Sequence, residues 1–67
     1  MMTLPQGFQI VRRDTQRAIE TASSLFVALK SCAALNAHEY INGRSGAAYF
    51  VRGPDGRIYT VDVEDTP

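Results

Sequence analysis

The stretch VRGPDGRI, residues 51–58, decides the fold, because it carries the chemistry of a tight turn between two apolar runs. Pro54 sets φ for the first corner of a type I turn, Asp55 suits the second corner, and Gly56 can adopt a positive φ. The stretch therefore predicts a β-hairpin closed by a three-residue connection with a glycine bulge. The predicted strands are 47–52 and 57–64.

The turn also determines which residues of the hairpin face each other. With Gly53 opposite Arg57, the facing pairs on one side are all apolar or aromatic: Val51 with Tyr59, Tyr49 with Val61, and Ala47 with Val63. A four-residue loop would bring Thr60 into this face, so turn chemistry and hydrophobic pattern agree on the first register. We expect this face to pack against a helix.

Upstream of the hairpin, the pattern predicts a strand followed by a helix. Residues 7–13 alternate in the manner of a strand, and Asp14 or Thr15 can cap the helix that follows. Apolar residues then recur at three- and four-residue steps and indicate one stripe of a helix from about Thr15 to about Leu35. The stripe comprises Ala18, Ile19, Ala22, Leu25, Phe26, Leu29, Cys32 and Ala33.

The end of this helix can be interpreted in two ways. A left-handed cap at Asn36 would leave residues 38–42 as an extra strand, whereas Asn42-Gly43 is a good C-terminal signal for a longer helix. A helix from Thr15 to Asn42 would be about 40 Å long, against about 23 Å for the strands. This mismatch favours a break near Asn36.

These elements predict an α+β fold of two layers, in which one amphipathic helix packs on a small antiparallel sheet. The order is β-α-β-β, with a fourth short strand at 38–42 left open. Sixty-seven residues allow a single domain over 1–67, with a loose lead-in at 1–6 and a frayed acidic tail at 64–67.

Composition excludes several classes of function. The formal net charge is zero, which argues against a dedicated nucleic-acid binder. The chain has one cysteine, Cys32, and one histidine, so we expect no internal disulfide, no zinc site and no cofactor. A lone thiol fits a cytoplasmic protein, and no apolar run approaches the ~20 residues of a membrane span.

The titratable residues show no catalytic arrangement. His38 and Glu39 are neighbours, and on a strand they would point to opposite faces, while Cys32 lies within the apolar stripe. We therefore expect a protein that is not an enzyme.

The arginines are the first candidate binding residues. Six of the seven basic residues are Arg, the side chain preferred for bidentate recognition of carboxylate or phosphate. One cluster is expected where the strand enters the helix, and a second group lies in loops of the sheet. The clusters are Arg12, Arg13 and Arg17, and Arg44, Arg52 and Arg57.

The sheet face opposite the helix is the second candidate. Phe50 and Ile58, with Ala48 and Thr60, should form an apolar patch there, rimmed by Arg52 and Asp62. Apolar residues on a face that one helix cannot cover are typical of a contact surface, either for a partner or for a homodimer.

The sequence thus favours a small cytoplasmic module that binds and occludes a partner protein. Inhibitors and accessory proteins of phages and other mobile elements are one such group by size and composition. The alternative is a nucleic-acid-binding protein that uses arginines with the sheet aromatics Tyr49, Phe50 and Tyr59.

Overall fold

A computed structural model describes residues 7–63 of the chain. It contains four strands and one helix in the order β-β-α-β-β. The lead-in and tail predicted at 1–6 and 64–67 lie outside the described residues. The elements are β1 (Phe8–Arg12), β2 (Arg17–Ala22), α1 (Leu25–Ile41), β3 (Tyr49–Arg52) and β4 (Ile58–Tyr59).

The strands form one antiparallel sheet in the order β2-β1-β3-β4, and α1 packs on one of its faces. The predicted α+β class, one helix on a small antiparallel sheet, is confirmed. The predicted N-terminal strand is present as β1, in the interior of the sheet. The fourth strand precedes the helix, at Arg17–Ala22, and the strand considered at 38–42 is absent because those residues are largely helical.

The predicted start of the helix at Thr15 is wrong. The chain turns back at residues 13–16, where the Gln16 amide donates to the Arg12 carbonyl at 2.7 Å, and β2 then pairs with β1. The helix begins ten residues later, after Ser24, whose hydroxyl accepts from the Val27 amide at 3.2 Å. The three- and four-residue steps between Ala18, Ile19 and Ala22 suggested a helix, but this segment pairs with the open edge of β1 and is a strand.

The favoured end of the helix, near Asn36, is also wrong. Helix α1 continues to Ile41 with Asn42 as its C-cap, and Gly43 follows with a φ of +81°. Because the helix starts later, its 17 residues span only about 26 Å, which is close to the length expected for the strands. The Asn42-Gly43 signal was therefore the correct one.

The predicted hairpin turn is confirmed. Gly56 has a φ of +87°, its amide donates to the Gly53 carbonyl at 3.0 Å, and the Gly53 amide donates to the Arg57 carbonyl at 2.8 Å. The register pairs Val51 with Tyr59, as expected. Strand β4 is nevertheless only two residues long, far shorter than the predicted 57–64.

Asn36 is the reason that the hairpin ladder stops after Tyr59. Its side-chain Nδ2 donates to the Tyr49 carbonyl at 3.2 Å and to the Val61 carbonyl at 2.8 Å, while its Oδ1 accepts from the Tyr49 amide at 2.9 Å. The side-chain amide thus binds both main-chain groups of Tyr49, as a peptide of a neighbouring strand would. The expected pairing of Tyr49 with Val61 is replaced by this bridge from the helix. Asn36 itself is fully buried.

The core lies between α1 and the sheet. Its buried members come from the helix and the two central strands: Ile10, Ala28, Cys32, Tyr49 and Val51. The predicted burial of Cys32, and of Tyr49 and Val51 from the hairpin face, is confirmed. The other residues of that face, Ala47, Tyr59, Val61 and Val63, are only half-buried. Phe26 is 70% exposed, contrary to the predicted stripe, because the buried face of α1 is formed by Ala28, Cys32, Asn36 and Glu39, on the other side of the helix.

The opposite face of the sheet differs from the expectation of an open apolar patch. Phe50 is buried, with only 6% exposed, and so is its cross-strand neighbour Val11. The Arg13 guanidinium covers the Phe50 ring at 5.3 Å from its centroid. Ala48, placed on this face by the sequence, packs instead against the core under the helix. Ile58 alone of the predicted pair remains exposed.

Candidate functional site

A pocket of about 330 Å³ opens where the end of β1, the C-terminal half of α1 and the loop before β3 meet. It contains three of the arginines predicted as binding residues. Two acids, a serine and two alanines complete the wall. The lining residues are Arg12, Arg13, Asp14, Glu39, Arg44, Ser45, Ala47 and Ala48.

Arg44 is held by a bidentate ion pair with Glu39. Its Nε and Nη2 donate to the two carboxylate oxygens at 2.7 and 3.1 Å, and its amide donates to the Glu39 carbonyl at 2.8 Å. The hydrogen bonds from Arg44 lower the pKa of the Glu39 carboxyl, and its partial burial opposes only part of this effect. The same pair raises the pKa of the Arg44 guanidinium. Both groups are therefore charged at neutral pH.

Arg12 is held by two partners in a different way. Its Nε donates to Asp14 Oδ1 at 2.8 Å and its Nη1 donates to the Tyr49 hydroxyl at 3.1 Å. The guanidinium also lies 5.6 Å from the centre of the Tyr49 ring, within range of a cation–π contact. The hydrogen bond with Asp14 raises the pKa of Arg12, which keeps the side chain charged.

Arg13 lines the pocket from the same strand end, with its guanidinium on the sheet face that points away from the helix. Its Nε donates to the Ala47 carbonyl at 2.7 Å, and its Nη2 lies 3.9 Å from Asp62 Oδ1. With the Phe50 ring beneath the guanidinium, Arg13 has an apolar support and one firm hydrogen bond. Its remaining donors face solvent or the pocket.

The three guanidinium groups keep unused donors. Each has five N–H groups, of which Arg12 and Arg44 use two and Arg13 uses one within residues 7–63. Three arginines against Asp14 and Glu39 give the lining a formal charge of +1, and Asp62, outside the lining, lies 3.9 Å from Arg13. The pocket is thus able to bind an anion with charge-assisted hydrogen bonds from side chains that are already positioned.

The other predicted site residues do not reach the pocket. Arg17 lies opposite Arg12 on β2, where residues 13–16 form a hairpin turn and not the expected entry into a helix. Arg52 donates to Gln9 Oε1 at 3.1 Å, and the exposed Arg57 lies near Asp55 at the hairpin tip. Ile58 is beside that tip. Residues 52–58 therefore lie at the other end of β3 from the pocket.

Sequence reasoning missed the acids that position the arginines. Glu39 was considered only as a neighbour of His38 that would point to the opposite face of a strand. It is instead buried, on the sheet side of α1, and meets Arg44 across the C-terminal turn of the helix. The C-terminal signal at Asn42-Gly43 could have predicted this contact, because a helix that ends there brings Glu39 and Arg44 to the same helix end.

The described residues hold little else that could carry chemistry. Among residues 7–63, no three His, Cys, Asp or Glu side chains are grouped so as to hold a metal ion. Cys32 is buried, which raises the pKa of its thiol. His38 is exposed at the helix end, where its Nε2 lies 3.5 Å from Asn42 Nδ2.

No helix within residues 7–63 has both the length and the apolar character needed to cross a membrane.

No protein-family model matches the sequence, and neither a curated protein nor a solved structure is significantly similar to the chain. The functional conclusion therefore depends on the geometry of the pocket.

Proposed function

We propose that this protein is a binding module of the cytoplasm that recognises an acidic segment of a partner protein and occludes it. The observation that carries the proposal is the arginine pocket, which Arg12 and Arg13 line from the end of β1 and Arg44 lines from the loop after α1. Their shared chemistry is the recognition of a carboxylate by paired N–H donors.

Preorganisation supports a role in binding over a role as general surface charge. Exposed arginines lose side-chain entropy when they bind, which weakens the contact. Here Glu39 holds Arg44 by two hydrogen bonds, and Asp14 and Tyr49 hold Arg12. Much of the ordering has therefore occurred before a ligand arrives.

The size of the pocket supports a small anionic group as the ligand. A volume of about 330 Å³ is near the lower end for ligand sites and suits one side chain or a chain terminus. An aspartate, a glutamate or a C-terminal carboxylate of the partner would fit this description. The apolar walls from Ala47 and Ala48 would contact its methylene groups.

The nucleic-acid alternative has weaker support. Stacking on bases needs exposed aromatic faces, and Tyr49 and Phe50 are both buried. The formal net charge of zero supplies no long-range attraction to phosphates. We therefore favour a protein ligand and keep nucleic acid as an outcome of the test.

The test is affinity capture from a lysate of the source or host cell, with and without nuclease, using three forms of the chain. Wild type is compared with Arg13→Gln, which removes one pocket charge, and with Arg57→Gln, which removes the same charge at the hairpin tip. Proteins retained by wild type and Arg57→Gln but lost with Arg13→Gln, irrespective of nuclease, support the proposal.

Two results would count against it. Retention that nuclease abolishes would point to nucleic acid as the ligand. Equal retention by all three forms would show that the pocket is not the contact surface. Thermal unfolding of each variant serves as the check that Arg13→Gln still folds, since Arg13 also covers Phe50.

A further inference from the structure

The face of α1 that points away from the sheet is apolar, and we propose that it forms the interface of a symmetric dimer of this chain. It lies opposite the buried helix residues Ala28, Cys32, Asn36 and Glu39. Phe26 and Ile41, at its two ends, are 70% and 81% exposed. The residues of this outer face are Phe26, Lys30, Ala33, Ala34, Ala37 and Ile41.

The order of large and small residues along the face is self-complementary. A twofold axis between Ala33 and Ala34 would pair two antiparallel helices, so that Phe26 of one chain meets Ile41 of the other. The alanines in the middle would meet each other, and their size would allow the helix axes to approach to about 8 Å. Two large side chains thus close each end of a narrow central contact.

The charges on the face agree with this arrangement. Lys30 is the single charged residue, and its ammonium lies 5.8 Å from the centre of the Phe26 ring. In the antiparallel pair it would lie opposite Ala37, and the two lysines would be about 10 Å apart along the axis. Each ammonium group would have to extend to the solvent-exposed rim of the interface, where salt screens the repulsion between the two.

The available area places the dimer among small interfaces. Covering the exposed parts of the two large side chains and the alanine surface between them would bury on the order of 500 Å² per chain. The total of about 1,000 Å² is at the lower limit for a specific interface, so we expect a dimer that dissociates on dilution.

The inference is independent of the arginine pocket. Glu39 points from α1 towards the sheet, on the opposite side of the helix from the outer face. A dimer would therefore carry two pockets, both accessible, and could bind a partner with two acidic segments more tightly than a single chain could.

Sedimentation velocity of the purified chain, over a range of about 5 to 500 µM, tests the proposal. The mass should rise from one chain of 7.4 kDa towards two as concentration increases. Ala34→Glu places charges beside the twofold axis and should weaken association at least tenfold. Arg13→Gln, in the pocket, should leave it unchanged.

Disulfide trapping gives a readout that does not require the Ala34→Glu variant to fold. Under mild oxidation, Ala34→Cys should form a covalent dimer in high yield, because the two thiols would lie next to the twofold axis. The control Asp55→Cys, at the exposed hairpin tip, should not. Native Cys32 is fully buried and should not contribute to either product.

Three results would overturn the proposal. The first is a wild-type chain that stays monomeric at all concentrations, which would leave the outer face to a different protein. The second is a dimer that Ala34→Glu does not weaken, which would assign self-association to another surface, such as the β2 edge. The third is equal trapping of Ala34→Cys and Asp55→Cys.

Discussion

The side chain of Asn36 joins the helix to β3 and to the segment that follows β4. Its replacement by alanine should therefore remove a large part of the folding free energy. Three main-chain groups would lose their partner: the amide and carbonyl of Tyr49 and the carbonyl of Val61. An unsatisfied buried group costs about 1–3 kcal/mol, and water can reach only the Val61 side. We therefore expect Asn36→Ala to cost about 3–5 kcal/mol.

This loss is large for a chain of 67 residues, whose total stability should be roughly 3–10 kcal/mol. The thermal midpoint should fall by more than about 12 °C. Equilibrium urea unfolding followed by far-ultraviolet circular dichroism measures the free energy, and a thermal scan gives the midpoint.

Asn42→Ala is the matched control, since Asn42 ends the same helix but is exposed. It donates to the His38 carbonyl at 2.8 Å, and its loss should cost less than about 1 kcal/mol. Asn36→Asp places a carboxylate against two carbonyl oxygens, so it should destabilise the fold at neutral pH and recover as falling pH protonates the new acid. An Asn36→Ala variant within about 1 kcal/mol of wild type would refute the bridging role.

The remaining predictions concern pH, the thiol and one glycine. Because the folded state lowers the pKa of Glu39, the pair with Arg44 stabilises the fold above the unfolded value of about 4.3, and this contribution is lost as pH falls through the lower folded value. Glu39→Gln should therefore flatten the loss of stability below about pH 4.3, and an unchanged acid limb would contradict this. Cys32 should react with an aromatic disulfide reagent only at the rate of unfolding, and fast labelling of the native chain would show that its burial is wrong. Gly46→Ala should cost about 1–3 kcal/mol, because its Cβ would collide with the Val63 carbonyl; a neutral effect in urea unfolding would refute that close approach.

The hairpin could be predicted because its determinants are local. Pro54, Asp55 and Gly56 specify the turn within a few residues, and the apolar alternation specifies the register near it. The same local logic fails after Tyr59, because the ladder is interrupted by Asn36 from a distant helix. No spacing within the hairpin itself signals that insertion.

The helix start shows the limit of hydrophobic periodicity. Ala18, Ile19 and Ala22 fit a helical stripe, yet they belong to a strand that completes the open edge of β1. Ser24, the observed N-cap, and Asp14 are both residues that favour the start of a helix. The helix starts at the later one because residues 17–22 pair with β1. Placing the start ten residues too early then made the correct helix end look too long.

The type of residue in the candidate site could be predicted from the sequence, but the position of the site in the fold could not. Six arginines in a neutral chain indicate a binding role, and three of them do line one pocket. Their convergence depends on where Glu39 and the loop before β3 meet the end of β1, which is a long-range property. Phe50 was expected to be exposed but is covered by Arg13. This contact could not be predicted, because the two residues are 37 positions apart in sequence.

The most direct test of the pocket is an NMR titration of the isotopically labelled chain with a capped peptide of four glutamates. We predict saturable shifts centred on the amides of Ser45, Ala47 and Ala48, at least tenfold weaker affinity in Arg13→Gln, and unchanged affinity in Arg57→Gln. A single-stranded oligonucleotide of equal charge should bind more weakly. Shifts spread over the whole surface, equal effects of the two substitutions, or a preference for the oligonucleotide would contradict recognition of an acidic protein segment.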